Sequence, residues 1–356
     1  MKFPFFIYIS WYLIILLFQI FLEPIYKLTL HSQTLSQRLF LSWATYWDSA
    51  HYVSIASDGY KFPQQAFFPL WPVLIKTASF LTGSPLYASF ILSIFFGLST
   101  FVLFYLLAVK LIGSHLSKYA LILFAVFPST MFLHAGYTEG LFLTLTILSF
   151  LLVEKKFYLL SAFVAGFSTM TRLVGVGVSL IYFFLKQPAQ KRLTFVIISL
   201  TGLISYALFL QIMFGNGLLF INAHKAWCGA QGRCQLIFPL VPLINYSQLL
   251  IMGWVKPSLS SAFIDWFFTI IFLGMLIPVF KKLSLLYFIY VLVVILLPLS
   301  SGTMVGMIRF VMVAFPVFYV FPFVIRSKVL FFTICILLFL LELRFVALFT
   351  NAIWVA

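Results

Sequence analysis

Long apolar runs constrain this chain more than any other feature of its sequence. A transmembrane helix needs about 20 mostly apolar residues to cross roughly 30 Å of hydrocarbon, and such runs, separated by short polar breaks, fill the chain. Hydrophobic residues make up 64% of the 356 residues and charged residues only 8%, and the mean hydropathy is +1.15. A soluble domain could not expose this composition to water. We therefore predict an all-α polytopic membrane protein.

The apolar runs predict about eleven transmembrane helices. Several runs are shorter than a full crossing, so we expect those helices to be buried by their neighbours or to line a cavity. The first run is interpreted as a retained helix rather than a signal peptide, because no small-residue cleavage pattern follows it. The predicted spans are 3–21, 86–109, 119–133, 141–153, 157–170, 174–185, 193–214, 262–279, 283–298, 310–324 and 329–348.

The basic residues predict the orientation of these spans. The net charge is +15, but Lys and Arg fall singly or in pairs between apolar runs, which argues against a nucleic-acid surface. With the N-terminus in the cytoplasm, the positive-inside rule is satisfied at every inner loop. The residues that this assignment places on the inner side are Lys110, Lys118, Lys155, Lys156, Lys186, Lys191, Arg192, Lys281, Lys282, Arg326 and Lys328.

The same orientation gathers the unusual polar residues on the outer side. These lie in segments 26–67, 134–139, 215–261 and 300–309, and at Arg172. We predict a single integral-membrane domain over 1–356, with an outer catalytic loop at about 26–67 and a second outer loop at about 215–261. The predicted location is a prokaryotic cell membrane with an outward-facing site, or the endoplasmic reticulum membrane in a eukaryote.

The cysteines indicate little chemistry. Cys228 and Cys234 share a polar loop and could form a disulfide if that loop faces an oxidising compartment. Two sulfurs alone make a poor metal site. Cys335 lies inside an apolar run and is predicted to be a packing residue.

The segment that follows the first apolar run concentrates acidic and aromatic residues in a chain with only seven Asp and Glu residues. From about residue 36 we predict an interfacial helix, with Trp43 and Trp47 as membrane-surface anchors. At helical spacing Asp48, His51 and Asp58 would share one stripe with Ile55. The alternative is that Asp48 only caps a helix that begins at the next residue.

Three further charged residues are candidates for a site on the outer side. Glu139 begins a predicted helix, where it would either complement the helix dipole or bind a substrate hydroxyl. Arg172 interrupts two apolar runs and needs an anion, either a carboxylate of this chain or a phosphate. Arg309 suits phosphate oxygens, although a snorkelling arginine at a helix end would look the same.

Absent motifs narrow the function. The sequence has no phosphate-binding glycine loop with a lysine, no paired His/Glu zinc motif and no G-x-S-x-G nucleophile elbow. Energy from nucleotide hydrolysis is therefore not expected. Dispersed Asp, His and Arg residues suit transfer from an activated lipid carrier, whose phosphate leaving group needs little acid catalysis.

The motifs resemble those of the PIG-V family, which comprises GPI mannosyltransferase II and its prokaryotic relatives. The first block is the specific one and the later blocks follow in the family's order over nearly the whole chain. The resembling blocks are Trp47-Asp48-Ser49-Ala50-His51-Tyr52, Gly59-Tyr60, Phe67-Phe68-Pro69-Leu70-Trp71-Pro72, Tyr137-Thr138-Glu139, Thr171-Arg172, Gly215-Asn216-Gly217, Ala223-His224-Lys225-Ala226-Trp227, Arg309-Phe310 and Phe315-Pro316.

The resemblance implies a GT-C type helical glycosyltransferase that takes a sugar from a polyprenyl-phosphate donor. Asp48 matches the family's catalytic position. We expect no resident cofactor, and a divalent metal shared by Asp48 and Asp58 is possible but not favoured. The predicted substrate-binding residues are His51, Asp58, Tyr60, Trp71, Glu139, Arg172, His224, Trp227 and Arg309.

Two departures from the family pattern bear on the acceptor. His224 replaces an expected glutamine before the Lys-x-Trp block, and the chain is compact, so a eukaryotic GPI precursor need not be the acceptor. We predict a mannosyl- or hexosyltransferase in which Asp48 is the general base, the transfer proceeds with inversion, and a glycolipid or glycan accepts the sugar. The alternative is a transporter or flippase of a lipid-linked sugar, although no internal repeat of two similar halves is visible.

Overall fold

The computed structural model describes residues 2–22, 34–227, 236–256 and 258–355, without the side chains of Arg38 and Trp227. Within these ranges the regular structure is helical and no strand occurs. The α-helices, in chain order, are α1 (Lys2–Leu17), α2 (Ser42–Thr45), α3 (Asp48–Asp58), α4 (Leu70–Thr82), α5 (Pro85–Ala125), α6 (Glu139–Glu154), α7 (Tyr158–Thr169), α8 (Val176–Ile181), α9 (Ala189–Ser199), α10 (Thr201–Phe214), α11 (Leu219–His224), α12 (Val241–Ile251), α13 (Ser261–Gly274), α14 (Leu276–Lys282), α15 (Leu285–Leu299), α16 (Met307–Val313), α17 (Pro316–Val324) and α18 (Lys328–Thr350).

Shorter helical turns connect or extend several of these helices. Two are π-helical, and the others are 3₁₀ turns, which commonly occur at helix ends and connections. The π-helical turns are Phe18–Leu22 and Gln37–Leu41, and the 3₁₀ turns are Gln64–Ala66, Pro128–Leu133, Leu173–Gly175, Tyr182–Phe184 and Lys225–Trp227.

Four helical segments among the described residues are long and apolar enough to cross a membrane. They are Lys2–Leu22, Pro85–Ala125, Ser261–Lys282 and Lys328–Thr350. The number rises to six if two bent pairs, α9 with α10 and α16 with α17, each count as one span. The all-α class and the presence of several spans are confirmed. The predicted count of eleven is not, because many of the remaining apolar helices are shorter than a full crossing.

The chain divides into two compact units. The first consists of Met1–Tyr60, Pro69–Lys155 and Phe318–Val355, and the second mainly of Lys61–Phe68 and Lys156–Val317. The single-domain organisation over 1–356 stays a prediction.

The first unit is organised around α5, which contacts α1, α4 and α6. Aromatic rings form much of its core. The Phe104 ring stacks on Phe124 with centroids 4.6 Å apart, and it meets the edge of Tyr319 at 4.7 Å. The Tyr319 hydroxyl donates to the Phe104 carbonyl at 3.0 Å. Such aromatic contacts add about 0.5–1.5 kcal/mol each beyond area burial, so they hold α5 and α17 together.

The helix α5 is broken at one residue. Gly113 has φ 77° and ψ 165°, a conformation that is essentially restricted to glycine. The sequence predicts two spans, 86–109 and 119–133, on either side of this point. The structure joins them into one helical segment with a kink at Gly113, and its second part ends at Ala125 before the 3₁₀ turn Pro128–Leu133.

The second unit pairs short helices through polar contacts. The Thr169 hydroxyl donates to the carbonyl of Ser199 at 3.0 Å, which joins the end of α7 to the end of α9. The Tyr290 hydroxyl donates to the carbonyl of Val313 at 2.7 Å, which joins α15 to the end of α16. Carbonyls freed at helix ends are thereby satisfied inside the unit. The span predicted over 193–214 is two helices, α9 and α10, with a bend of 47°.

Candidate active site around Asp48

Asp48 is the first residue of α3, and the residue before it has an unusual backbone. Trp47 has φ 55° and ψ −130°, a strained conformation for a bulky residue. Its indole meets Trp354 edge to face, with ring centroids 5.0 Å apart. The Asp48 backbone N–H donates to the Tyr137 hydroxyl at 3.3 Å. Strain that the surroundings hold in place is typical of functional positions, and here it fixes where α3 begins.

The Asp48 carboxylate lies at the positive end of α3 and is half-exposed. The N-cap position belongs to Trp47, which makes no side-chain capping bond. Asp48 is therefore a residue of the helix itself, and the interpretation of this side chain as a simple N-cap is wrong.

His51 lies nearly one helical turn after Asp48 and is half-buried. Burial lowers the pKa of His51 below its ordinary value of 6.5, while the nearby Asp48 carboxylate raises it in part. At neutral pH the ring is therefore uncharged. One ring nitrogen can donate a hydrogen bond and the other can accept one.

The turn between Ala135 and Glu139 is fastened to the segment that precedes α3. The Trp71 indole N–H donates to the Gly136 carbonyl at 2.9 Å, and the Gly136 N–H donates to the Trp43 carbonyl at 2.8 Å. A Cβ at position 136 would collide with the hydroxyl of Ser89. Glycine therefore lets the turn that carries Tyr137 approach this closely without displacing the Ser89 side chain.

Two tryptophans of the predicted site are fully buried. Trp43 is 0% exposed, stacks on Phe349 and meets the ring of His134 edge to face. The prediction that Trp43 anchors a helix at the membrane surface is wrong, because its ring fills the core of the first unit. Trp71 is also 0% exposed. Its substrate-binding role stays a prediction, and its observed contact is structural.

Glu139 is the first residue of α6 and is 0% exposed. The positive end of the helix stabilises a carboxylate at this position. This placement agrees with the dipole interpretation of Glu139, and its predicted contact with substrate stays a prediction.

Asp58, Gly59 and Tyr60 lie at the far end of α3. Asp58 is the last helical residue and is exposed, and Tyr60 is half-buried. Gly59 has φ 84° and ψ −178°, which again is essentially a glycine conformation. Ten residues of helix separate Asp48 from Asp58 by about 15 Å along the axis. The two carboxylates therefore do not converge, and no group of three His, Cys, Asp or Glu residues able to hold a metal occurs among the residues described.

The membrane-surface position of α3 stays a prediction. Along the predicted stripe Asp48 and His51 are half-exposed, Ile55 is 5% exposed and Asp58 is exposed. The stripe is therefore buried at Ile55 and more exposed at both ends, and it does not lie on one open face.

The second unit holds the predicted arginines. The Arg172 guanidinium lies over the ring of Phe310, with its central carbon 4.9 Å from the ring centroid. Arg172 is half-buried, and stacking on an aromatic face is a contact that a planar guanidinium commonly makes. The next residue after Arg309 thus contributes the surface on which Arg172 rests.

Asp265 is a functional candidate that sequence reasoning did not assign. Its carboxylate on α13 accepts the backbone N–H of Gly306 at 3.0 Å and that of Ile308 at 2.7 Å. It is buried and close enough to Arg309 for charge attraction. Asp265 therefore caps α16, the short helix that carries Arg309 and Phe310. The signal in the sequence is an acid inside an apolar span, which needs a polar partner.

The remaining predicted residues are His224 in the second unit, Cys335 in the first unit, and residues outside the described ranges. His224 is the last residue of α11 and is exposed. The side chain of Trp227 lies outside the described residues, as do both loop cysteines, Cys228 and Cys234. Cys335 is buried at 5% exposure in α18, which confirms its prediction as a packing residue.

Two curated relatives match part of this chain. GPI mannosyltransferase 2 of Schizosaccharomyces pombe is 28% identical over 221 residues, which are 57% of this chain and 46% of the relative. GPI alpha-1,6-mannosyltransferase 2 of Homo sapiens is 32% identical over 148 residues, which are 37% of this chain and 30% of the relative. The chain thus spans about half or less of the length of these relatives.

A solved structure aligns with most of the chain. The Archaeoglobus fulgidus oligosaccharyltransferase in complex with zinc and sulfate covers 97% of this chain and 52% of its own, with a TM-score of 0.49 and 12% identity. The GT-C type of the fold stays a prediction.

The family model described as Mannosyltransferase (PIG-V) matches residues 19–226. This range is more than half of the chain and contains α3, the turn with Tyr137 and Glu139, and Arg172. The resemblance read from the motifs is confirmed: the chain belongs to the Mannosyltransferase (PIG-V) family.

Proposed function

We propose that this chain is a membrane mannosyltransferase that moves a mannosyl group from a polyprenyl-phosphate donor to a hydroxyl of a glycolipid or glycan acceptor. Family membership and the names of both curated relatives support the transferase class. They do not favour the alternative of a transporter or flippase. The proposed location is a membrane with the site on the outer side, as the distribution of basic residues predicts.

The observation that carries this proposal is the position of Asp48. It lies within the family-matched segment, at the start of α3, with a half-exposed carboxylate. The bond from its backbone N–H to Tyr137 and the strained Trp47 hold it in place. A fixed, solvent-accessible carboxylate is suited to accept a proton from an incoming hydroxyl.

In the proposed reaction Asp48 takes the proton of the acceptor hydroxyl. The acceptor oxygen forms a bond to the anomeric carbon as the bond from that carbon to the phosphate oxygen breaks. Attack from the face opposite the phosphate inverts the anomeric configuration. The polyprenyl phosphate leaves as an anion, so the reaction needs no strong acid, and the proposal favours no resident metal or cofactor.

We assign binding of the phosphate to Arg172 and Arg309. Arg309 and Arg172 both carry forked donors that match phosphate oxygens. Asp265 holds the start of α16, and Phe310 supports the Arg172 guanidinium. We assign acceptor or sugar orientation to His51, because a neutral imidazole can both donate and accept.

Sugar transfer in isolated membranes tests the proposal directly. Labelled polyprenyl-phosphate mannose is supplied to membranes that contain equal amounts of the natural chain, its Asp48→Asn form or its Glu154→Gln form. Glu154 is a matched control because the same acid-to-amide change is made at the end of α6. The natural chain and Glu154→Gln should transfer label, and Asp48→Asn should lose about 10²–10⁴-fold in rate.

The possible outcomes test the role of Asp48 as the base separately from the donor class and the stereochemistry of the reaction. Retained turnover in Asp48→Asn would overturn the role of this carboxylate. A natural chain that transfers neither mannose nor another hexose from polyprenyl phosphate would overturn the donor class. A product with the same anomeric configuration as the donor would overturn the single inverting displacement.

A further inference from the structure

The first unit contains an open surface cavity that the proposed reaction does not use and whose residues are distant in sequence from α3. It is lined by the start of the helical segment after Gly113 and by the connection between α17 and α18. We call it the basic cavity. Its principal lining residues are His115, Tyr119, Arg326, Ser327, Lys328 and Phe331. No Asp or Glu is among the residues that line it. Two permanent cations and an imidazole, all on exposed residues, therefore line one small volume.

The size of the basic cavity restricts its occupant. The cavity measures about 100 Å³, which is room for several water molecules. Drug-sized ligands and cofactors occupy about 300–1,000 Å³. The cavity therefore fits one compact group, such as a phosphate, and is too small to enclose a nucleotide or an oligosaccharide.

The helix that begins at the basic cavity favours an anion there. Lys328 is the first residue of α18, a helix of 23 residues. Ser327 caps it by accepting the N–H of Leu330 at 3.3 Å, which leaves other first-turn N–H groups without an intrahelical acceptor. The positive end of the α18 dipole and the two cations thus both favour a bound anion.

An apolar surface adjoins the basic cavity. Phe331 and Tyr119 meet edge to face at 5.1 Å and close one side of it. The outer face of α18 beside it is apolar and exposed, with Val329 at 78%, Leu330 at 52% and Phe332 at 46%. Because α18 is long and apolar enough to cross a membrane, this face is suited to contact acyl chains. A phosphate in the cavity could therefore be continuous with a lipid tail along α18.

We propose that the basic cavity binds the phosphate headgroup of an anionic phospholipid. The proposal agrees with the predicted inner-side position of Arg326, Lys328 and Lys118, since anionic lipids attract basic residues next to a span. The bound lipid would join the second part of α5 to the start of α18, two segments that are distant in sequence. This site would serve the fold in its membrane and does not depend on the identity of the sugar donor.

Lipid binding to the delipidated full-length chain tests this proposal. The probes are radiolabelled phosphatidic acid, phosphatidylcholine and inorganic phosphate, each titrated against the natural chain and against Arg326→Gln/Lys328→Gln. Lys281→Gln/Lys282→Gln is the matched control, because it removes the same charge from another exposed pair at a predicted inner helix end. Arg326→Lys/Lys328→Arg keeps the charge at the cavity and shows whether an altered variant has simply misfolded.

We expect the natural chain, the control and the charge-keeping variant to bind phosphatidic acid well above phosphatidylcholine. The affinity of Arg326→Gln/Lys328→Gln for phosphatidic acid should fall at least about tenfold. An equal loss of affinity in the Lys281→Gln/Lys282→Gln control would show that the total charge of the protein causes the effect, and it would overturn the proposed site. Inorganic phosphate that binds as tightly as phosphatidic acid would reassign the cavity to a free anion and overturn the lipid proposal.

Discussion

At the scale of single residues, the site depends on how one carboxylate and one imidazole influence each other. Asp48 and His51 lie on neighbouring turns at the start of α3. Burial favours the neutral form of His51 and the carboxylate favours its charged form. Burial is the larger effect, so the pKa of His51 lies below 6.5. The unfolded chain then binds this proton more tightly, and stability falls as the pH drops through 6.5.

Replacing Asp48 with Asn should lower the pKa of His51 further, because the change removes the carboxylate that favours the imidazolium. An NMR titration of histidine-labelled protein measures this pKa. Asp58→Asn is the control, since seven residues of helix place Asp58 about 10 Å along the axis from His51. It should leave the pKa of His51 unchanged. A higher pKa in Asp48→Asn would contradict the assigned contact.

The sequence predicted the residues of this site better than their environments. Asp48 and His51 could be named because acids are rare in the chain and because the surrounding motif is specific. Trp43 could not be placed, since an amphipathic aromatic is typical of both a membrane surface and a packed core. Its burial depends on Phe349 and His134, which lie far along the chain. Sequence spacing alone does not show such contacts.

At the scale of helices, buried polar contacts fix ends that hydrophobicity cannot locate. The start of α16 is set by the two hydrogen bonds from Gly306 and Ile308 to Asp265 on α13. These residues are separated by about 40 positions in sequence, and nothing in the spacing of apolar residues indicates their contact. A helix cap that is supplied by a residue of another helix therefore could not be predicted from the sequence.

Replacing Asp265 with Ala should lower the free energy of unfolding by about 2 kcal/mol, because two buried N–H groups lose their hydrogen-bond acceptor. It should also raise the KM for the lipid donor, since Arg309 and Phe310 lie on the helix that loses its cap. Asp265→Asn keeps one acceptor oxygen and should have a smaller effect on both quantities. Thermal unfolding in detergent and transfer kinetics measure them. Loss of stability with an unchanged KM would contradict the positioning role.

The break in α5 is an element-scale feature that the sequence did locate. The two predicted spans, 86–109 and 119–133, leave Gly113 between them, and the structure has its non-helical residue there. What the spacing could not show is that the helical segment resumes directly, because that depends on the backbone angles of one glycine. Hydrophobic runs indicate where a helix can lie, and a single residue decides whether two runs join.

Gly113→Ala should destabilise the chain by about 1–3 kcal/mol, because φ 77° with ψ 165° is strained for any residue with a Cβ. No steric clash contributes, since a Cβ at this position meets nothing within 4 Å. Gly274→Ala is the matched control. That glycine ends α13 and also has open space around its Cβ position, so alanine should be neutral or stabilise by up to about 1 kcal/mol. Equal thermal shifts in the two variants would contradict the strain at Gly113.

At the scale of the whole molecule, sequence composition determined the class of protein and left the number of crossings open. Apolar helices such as α7, α12 and α15 are shorter than a full span. Whether each crosses the bilayer depends on which neighbours cover it, and length cannot settle that question. The pattern of basic residues does not depend on helix length. It predicts the side of the membrane on which each polar segment lies. The basic residues therefore predict the topology of the polar segments, which the number of helices does not.

We predict that α3 and the end of α6 lie on opposite sides of the membrane. In a chain with Cys228→Ser and Cys234→Ser, the remaining Cys335 is buried, and single cysteines can be placed at the exposed Ser57 and Lys155. A membrane-impermeant maleimide should label Ser57→Cys in sealed, outward-facing cells and Lys155→Cys only after permeabilisation. Labelling of both in sealed cells would contradict the predicted topology. Labelling of Lys155→Cys alone would invert it and would place Asp48 where a cytoplasmic donor, not an outer-face lipid-linked sugar, would have to reach it.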